Sequence, residues 1–332
     1  MTDNAYRSVA VIGAGAWGTA LAIVAANAGR RVMLWAREAD VVESVNKSHE
    51  NRRFLPGITL PSSVAAVADL AQCAGADIML VVAPAQHLRA TLQNLRRPMK
   101  RGTPVVVCGK GIEEKTGALL SEVLMETLPE AEPAMLSGPS FARDVARGFP
   151  TAVTVAARGP VAARLQATLG GASFRPYATE DITGVALGGA AKNVYAIGCG
   201  MVEGAGLGEN ARAALLARSF AELMRLGVRL GAKGETLMGL SGLGDLVLTA
   251  TSKSSRNFTL GVALGRGASL KEATGEGKPL AEGATTAAAL VARGKREGIE
   301  PPIAEAVADV IAGKLDVRHA AERLLARPVG KE

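Results

Sequence analysis

The sequence predicts an α/β fold followed by an all-α one: a doubly wound, mostly parallel sheet with its helices over residues 1–182, then a helical domain over 183–332. Three observations carry this expectation. A glycine-rich turn joins an apolar strand to an apolar helix near the N-terminus. Short apolar runs bounded by turn residues recur until about residue 183, and helical periodicities replace them afterwards. The chain of 332 residues is long enough for two domains with a sizeable core.

The elements follow in order. Ser8-Val9-Ala10-Val11-Ile12 reads as a buried strand, and residues 19–28 read as a helix ended by Gly29. Between them stands Gly13-Ala14-Gly15-Ala16-Trp17-Gly18, a GxGxxG turn. Gly13 permits the tight turn, Gly15 lets a pyrophosphate approach the backbone, and Gly18 lets helix and strand pack closely. The helix N-terminus then offers N–H groups to an anion, so a Rossmann-type dinucleotide site is expected here. The uncharged stretch 8–29 is also long enough to span a bilayer. Its glycines, its strand-like first half, Asp3 ahead of Arg7 and the absence of a cleavage pattern favour a buried strand and helix, with no membrane insertion.

Arg31–Trp35 is the second strand. An acid near its end would hold the ribose 2′-hydroxyl of NAD, but the chain continues Ala36-Arg37. Arg37 suits a 2′-phosphate and adenine stacking, so NADP is preferred over NAD; the alternative is an ordinary surface arginine before Glu38. Residues 77–83 and 104–108 read as further parallel strands. The second runs into Gly109-Lys110-Gly111, which either projects the Lys110 ammonium into a crevice or forms a surface turn. A strand at 134–136 precedes Ser137-Gly138-Pro139-Ser140-Phe141-Ala142, and 151–156 alternates like a strand near the sheet edge. Helices are expected at 211–226, ended by Gly227, and at 281–295 and 303–311.

The chemistry concentrates in the second half. Lys192 is the only charge between residues 182 and 202. An unpaired ammonium is costly to bury, so such a lysine is paired, neutralised or used. Residues 239–245 place Asp245 after a glycine-rich turn; burial lowers a lysine pKa and a nearby carboxylate raises it. Residues 251–257 gather hydroxyls, an amide and two cations, and either hold a phosphate through Ser255, Arg256 and Asn257 or form a solvated polar loop.

Composition narrows the classes. Net charge is +7, but the basic residues are dispersed and aromatics make up 3%, which argues against nucleic acid and suits anionic ligands. Cys73, Cys108 and Cys199 show neither a disulfide framework nor a CxxC site, as in a reducing cytosol. His49, His87 and His319 lack metal-ligand spacing and read as structural or surface residues, so no metal is expected.

Taken in order, these motifs resemble one family. They are GAGAWGTALA at 13–22, NRRFLPG at 51–57, KGIE at 110–113, LSGPSFA at 136–142, LGGAAKN at 187–193, GLSGLGDL at 239–246, SRN at 255–257 and EGATT at 282–286. The chain resembles bacterial NAD(P)-dependent glycerol-3-phosphate dehydrogenases over nearly its whole length. The resemblance implies reversible reduction of dihydroxyacetone phosphate to sn-glycerol 3-phosphate, feeding phospholipid synthesis. It also implies a cytoplasmic homodimer and a helical domain like that of 6-phosphogluconate dehydrogenase. By resemblance Lys192 is the acid/base, and Lys110, Gly138, Ser140, Asp245, Ser255, Arg256 and Asn257 hold substrate. Ala16, Trp17, Arg37, Phe54, Lys110, Ala142, Arg256, Leu280 and Glu282 match cofactor-contacting positions. Ala16 stands where serine is frequent, Phe54 where tyrosine is common, and Asp144 replaces a usual glutamate. A β-hydroxyacid dehydrogenase would share the architecture and an interdomain lysine, but the 255–257 loop and the GLSGLGDL turn argue against it. A non-catalytic NADPH sensor is disfavoured by Lys110, Lys192 and Asp245.

Overall fold

The computed structural model describes residues 4–96, 99–275 and 281–328. The chain divides into two compact units, residues 1–110 with 120–186, and residues 111–119 with 187–332. The main division therefore falls inside a helix rather than at residue 182. The segment 111–119 leaves the first unit for the second, which no composition shift announces.

The first unit holds an eight-stranded sheet in the order β3-β2-β1-β4-β5-β6-β7-β8. The strands are β1 (Ser8–Ile12), β2 (Arg31–Trp35), β3 (Val64–Val67), β4 (Ile78–Val81), β5 (Pro104–Val107), β6 (Glu132–Ser137), β7 (Thr151–Ala157) and β8 (Phe174–Thr179). All neighbours run parallel except β6 and β7. Strand order reverses between β1 and β4, which pair in register from Val9↔Ile78 to Ile12↔Val81. Such a switch point leaves a crevice at the carboxyl ends of the strands. β4 and β5 are buried throughout, as their unbroken apolar runs require when helices cover both sheet faces. The helices of this unit are α1 (Ala16–Asn27), α2 (Ala39–Ser48), α3 (Leu88–Leu95), α4 (Leu120–Thr127), α5 (Ala142–Ala146) and α6 (Pro160–Leu169).

All six expected strands are present, as β1, β2, β4, β5, β6 and β7. β7 is the strand read at 151–156, and it lies near the sheet edge as expected, with β8 as the edge strand beside it. β8 carries Pro176 and the short β3 is half alanine, so neither gives a strong strand signal. α1 starts at Ala16, inside the glycine motif and earlier than residue 19, because Gly15 takes the N-cap position.

The second unit is helical: most of α7 (Ile182–Gly204), then α8 (Glu209–Arg229), α9 (Gly234–Met238), α10 (Asp245–Thr251), α11 (Arg256–Gly265), α12 (Leu270–Thr274), α13 (Glu282–Arg296), α14 (Pro302–Ile311) and α15 (Val317–Leu325). The most apolar 18-residue window of α7 is wholly buried. α7 and α11 touch backbone to backbone. A Cβ on Gly200 would overlap the Phe258 carbonyl oxygen, and one on Gly261 would overlap that of Ile197. Gly227 does not end α8, contrary to the expectation. The helix runs on to Arg229, and a Cβ at Gly227 would overlap the Leu237 side chain, so this glycine serves packing.

Candidate active site

In the first unit the glycine loop is shaped by what its residues lack. Gly13 has φ +116°, and a Cβ there would lie 2.7 Å from the Val82 carbonyl oxygen. A Cβ on Gly18 would overlap the Gly13 carbonyl oxygen. At Gly15 nothing lies within 4 Å of that position, so the loop is closed against the sheet and open above its middle glycine. α1 begins there with no side-chain cap and no acid in its first turn. The uncapped N–H groups and the positive end of the helix dipole fit a pyrophosphate. Ala16 and Trp17 open this helix, with Trp17 packed partly against the core.

A residue given no role from sequence supports the loop. Asn51 is fully buried, and its amide donates to the Ala14 carbonyl at 2.8 Å and to the Thr19 hydroxyl at 2.8 Å. Its own carbonyl accepts from the Phe54 N–H at 3.1 Å. The NRRFLPG segment is thus tied to the glycine loop, and Phe54 stands beside it, exposed, with the Arg53 guanidinium 5.3 Å from its ring centroid. Arg37 follows β2 as an exposed side chain paired with Glu38 at 2.9 Å. A carboxylate therefore does stand near the end of β2, displaced in sequence from the position where the motif places it.

Lys110 lies just beyond the end of β5. Its ammonium donates to the Gly138 carbonyl at 3.1 Å, and the Ser140 hydroxyl donates to the same oxygen at 2.9 Å. Gly138 has φ +149°, and a Cβ there would lie 2.8 Å from the Val153 Cα, so the corner after β6 admits only glycine. The structure thus joins the Lys110 turn and the 137–142 segment, which the sequence presents as separate motifs. Ala142 opens α5, which packs on α1.

In the second unit Lys192 is 7% exposed and Asp245 1%. The Lys192 ammonium donates to Asp245 Oδ1 at 2.7 Å and to the Thr249 hydroxyl at 2.8 Å, and that hydroxyl donates to Asp245 Oδ1 at 3.2 Å. Asp245 and Thr249 lie one turn apart on α10 and so share a face. The glycine-rich stretch before Asp245 is a π-helical turn, Leu240–Gly244, rather than an open loop. Gly188, one turn before Lys192 on α7, makes the approach possible: a Cβ there would lie 2.5 Å from the Ser241 carbonyl oxygen. Thr249 is a partner that sequence reading missed, since a threonine on an apolar helix carries no signal of its own.

The 251–257 segment is only partly loop. Ser255 caps α11 by accepting from the Phe258 N–H at 3.2 Å, and it is buried. Arg256 opens the helix as an exposed side chain. Asn257 donates to the Asn193 side-chain oxygen at 2.9 Å and accepts from the Gly283 N–H at 3.0 Å, so its amide orientation is fixed. Asn193 directly follows Lys192, and Gly283 follows Glu282, the first residue of α13. Lys192, Asn193, Asn257 and Glu282 thus belong to one connected region, with Arg256 beside it. Leu280 lies outside the described residues.

The family models described as the N-terminus and the C-terminus of NAD-dependent glycerol-3-phosphate dehydrogenase match residues 8–163 and 181–322. The chain is 55% identical over 329 residues to glycerol-3-phosphate dehydrogenase [NAD(P)+] of Parvibaculum lavamentivorans, covering 99% of both chains. It is 55% identical over 326 residues to the protein of the same name from Rhodospirillum rubrum, covering 98% of this chain and 93% of that one. A crystal structure of glycerol-3-phosphate dehydrogenase from Coxiella burnetii superimposes with a TM-score of 0.92 at 37% identity, covering 98% of this chain and 100% of that one. With matches to both halves and such relatives along its full length, the chain belongs to the NAD-dependent glycerol-3-phosphate dehydrogenase family.

Proposed function

We propose that this chain reduces dihydroxyacetone phosphate reversibly to sn-glycerol 3-phosphate with NADPH or NADH, supplying the glycerol phosphate backbone of phospholipids. The observation that carries the mechanism is the buried Lys192 ammonium held by Asp245 and Thr249. When bound, the reduced nicotinamide supplies the hydride that C2 of the ketone receives. Lys192 gives a proton to the C2 oxygen as the carbonyl becomes an alcohol, and takes it back from the hydroxyl in the reverse direction. Asp245 and Thr249 fix the ammonium, so little reorganisation accompanies the transfer. Lys110 and Ser140, gathered at the Gly138 carbonyl, add positive charge and a hydroxyl for the substrate. Arg256 takes the phosphate dianion, with Asn257 and Ser255 holding its helix start in place.

The open face of Gly15 and the uncapped start of α1 favour the cofactor pyrophosphate there. Ala142, Phe54, Glu282 and Leu280 complete the proposed cofactor contacts. Arg37 favours NADP through the 2′-phosphate, with the Glu38 pairing as its competitor. Family likeness supports a cytoplasmic homodimer. The burial of α7 within the protein supports the absence of membrane insertion.

Turnover of dihydroxyacetone phosphate and of unphosphorylated dihydroxyacetone, each with NADPH and NADH, tests this reading. The wild type should strongly prefer the phosphorylated ketone, and Arg256→Ala should lose most of that preference. A variant that kept it would move the phosphate away from Arg256, and an absence of turnover with either coenzyme would end the proposal.

A further inference from the structure

We infer that Arg293 is a positioning residue for Lys110, acting through the segment 111–119; this rests on the role proposed above for Lys110. The chain passes from Lys110, the last residue of its stretch of the first unit, directly into a segment that belongs to the second unit. That segment folds as a small hairpin. Ile112 bridges Leu119 antiparallel, Glu113 N–H donates to the Ala118 carbonyl at 2.9 Å, and Gly117 N–H donates to the Glu113 carbonyl at 2.8 Å. The Thr116 hydroxyl donates to the Glu113 carboxylate at 2.6 Å. Ile112 is fully buried and Glu113 nearly so. The hairpin is therefore a built element, and it fixes the backbone immediately after Lys110.

Its tip is held by the last turn of α13. Arg293 donates to the Gly117 carbonyl at 3.3 Å, while Arg296 donates to the Thr116 carbonyl at 3.3 Å and to that of Gly117 at 3.5 Å. Arg293 is 7% exposed and also pairs with Glu297 at 3.1 Å, so its guanidinium is held on two sides. Arginine suits the task because its planar fork binds two partners at once. The other end of α13 is tied by the Gly283 N–H to Asn257, beside Arg256. Gly283, Thr286, Leu290 and Arg293 recur at helical spacing along the buried face of α13. One rigid helix, about 15 Å long between these two ties, thus fastens both the proposed phosphate-binding segment and the hairpin that follows Lys110.

Steady-state kinetics on a double-mutant cycle tests this. Lys110→Met alone should impair turnover. Arg293→Ala should lower kcat/KM for dihydroxyacetone phosphate by about tenfold to a hundredfold, the scale of a misplaced catalytic group. In the Lys110→Met background the same change should cost nothing further. Arg293→Lys, which keeps one donor for Gly117, should recover part of the loss. If Arg293→Ala does not fold, the exposed Arg296→Ala carries the same cycle, with a smaller loss that again vanishes without Lys110. Losses that multiply would overturn the inference and leave Arg293 a stabilising residue. An unimpaired Lys110→Met would overturn the Lys110 role and the inference with it, whereas additivity alone would leave the proposed reaction intact.

Discussion

The glycine loop of the first unit and the lysine cluster of the second solve opposite problems. At residues 13–18 the site is made by leaving atoms out. Gly13 and Gly18 bring backbone against backbone, and Gly15 leaves a space open. At Lys192 the site is made by burying a charge and satisfying it, with a carboxylate at 2.7 Å and a hydroxyl at 2.8 Å. One region should therefore be sensitive to any added atom, and the other to the loss of one functional group.

Removing the charge gives the largest expected effect. Lys192→Met should lower kcat by about 10²–10⁴-fold, the range for a lost general acid, while fluorescence titration finds cofactor affinity nearly intact. Near-normal turnover would leave Lys192 a structural lysine and collapse the contrast. Adding one methyl group comes next. Gly18→Ala forces a Cβ onto the Gly13 carbonyl and should destabilise the protein by about 1–3 kcal/mol, as overpacking does. It should weaken cofactor binding more than it slows the bound complex. Denaturant unfolding and cofactor titration check this, and an unchanged midpoint with unchanged affinity would show that the loop yields freely.

The smallest expected effect sharpens the comparison within the second unit. Glu222 is fully buried, accepts from the Tyr195 hydroxyl and from the N–H groups of Ile303 and Ala304, and so caps α14. Burial pushes its carboxyl above the ordinary glutamate range, partly offset by those donors. A folded-state pKa above the unfolded one means that the contribution to stability is complete below the ordinary range and is lost as pH rises through the folded value. Glu222→Gln cannot titrate, so the stability advantage of the wild type over it should shrink as pH rises across that interval. Thermal melts at a series of pH values read this; a constant difference would mean that the carboxyl titrates alike in both states.

What the sequence makes legible follows from the same contrast. GxGxxG is readable because each glycine's role is local to one strand–turn–helix unit, and β1 and β2 have the expected limits. Lys192 is readable because one charge in an apolar run is conspicuous, and Asp245 because a glycine-rich stretch announces it. Thr249, Asn51 and Arg293 are ordinary residues whose partners are set only by tertiary packing. The glycine contacts of α7 with α11 are invisible for the same reason: each half lies in a plain helical segment, and the two are far apart in sequence. Gly227 misleads because a glycine that serves close packing looks like one that ends a helix.

The burial of α7 has a consequence for synthesis. The segment is long and apolar enough to cross a bilayer, and α11, against which its glycines pack, emerges only after some 60 further residues, a few seconds of translation. Until then the nascent chain presents a stretch that a membrane-insertion machinery could accept. Lys192 sits at the middle of it, where an ammonium opposes insertion by about 2.5–3.5 kcal/mol. The side chain proposed to move the proton in the folded enzyme is thus also the group that makes this stretch a poorer membrane span.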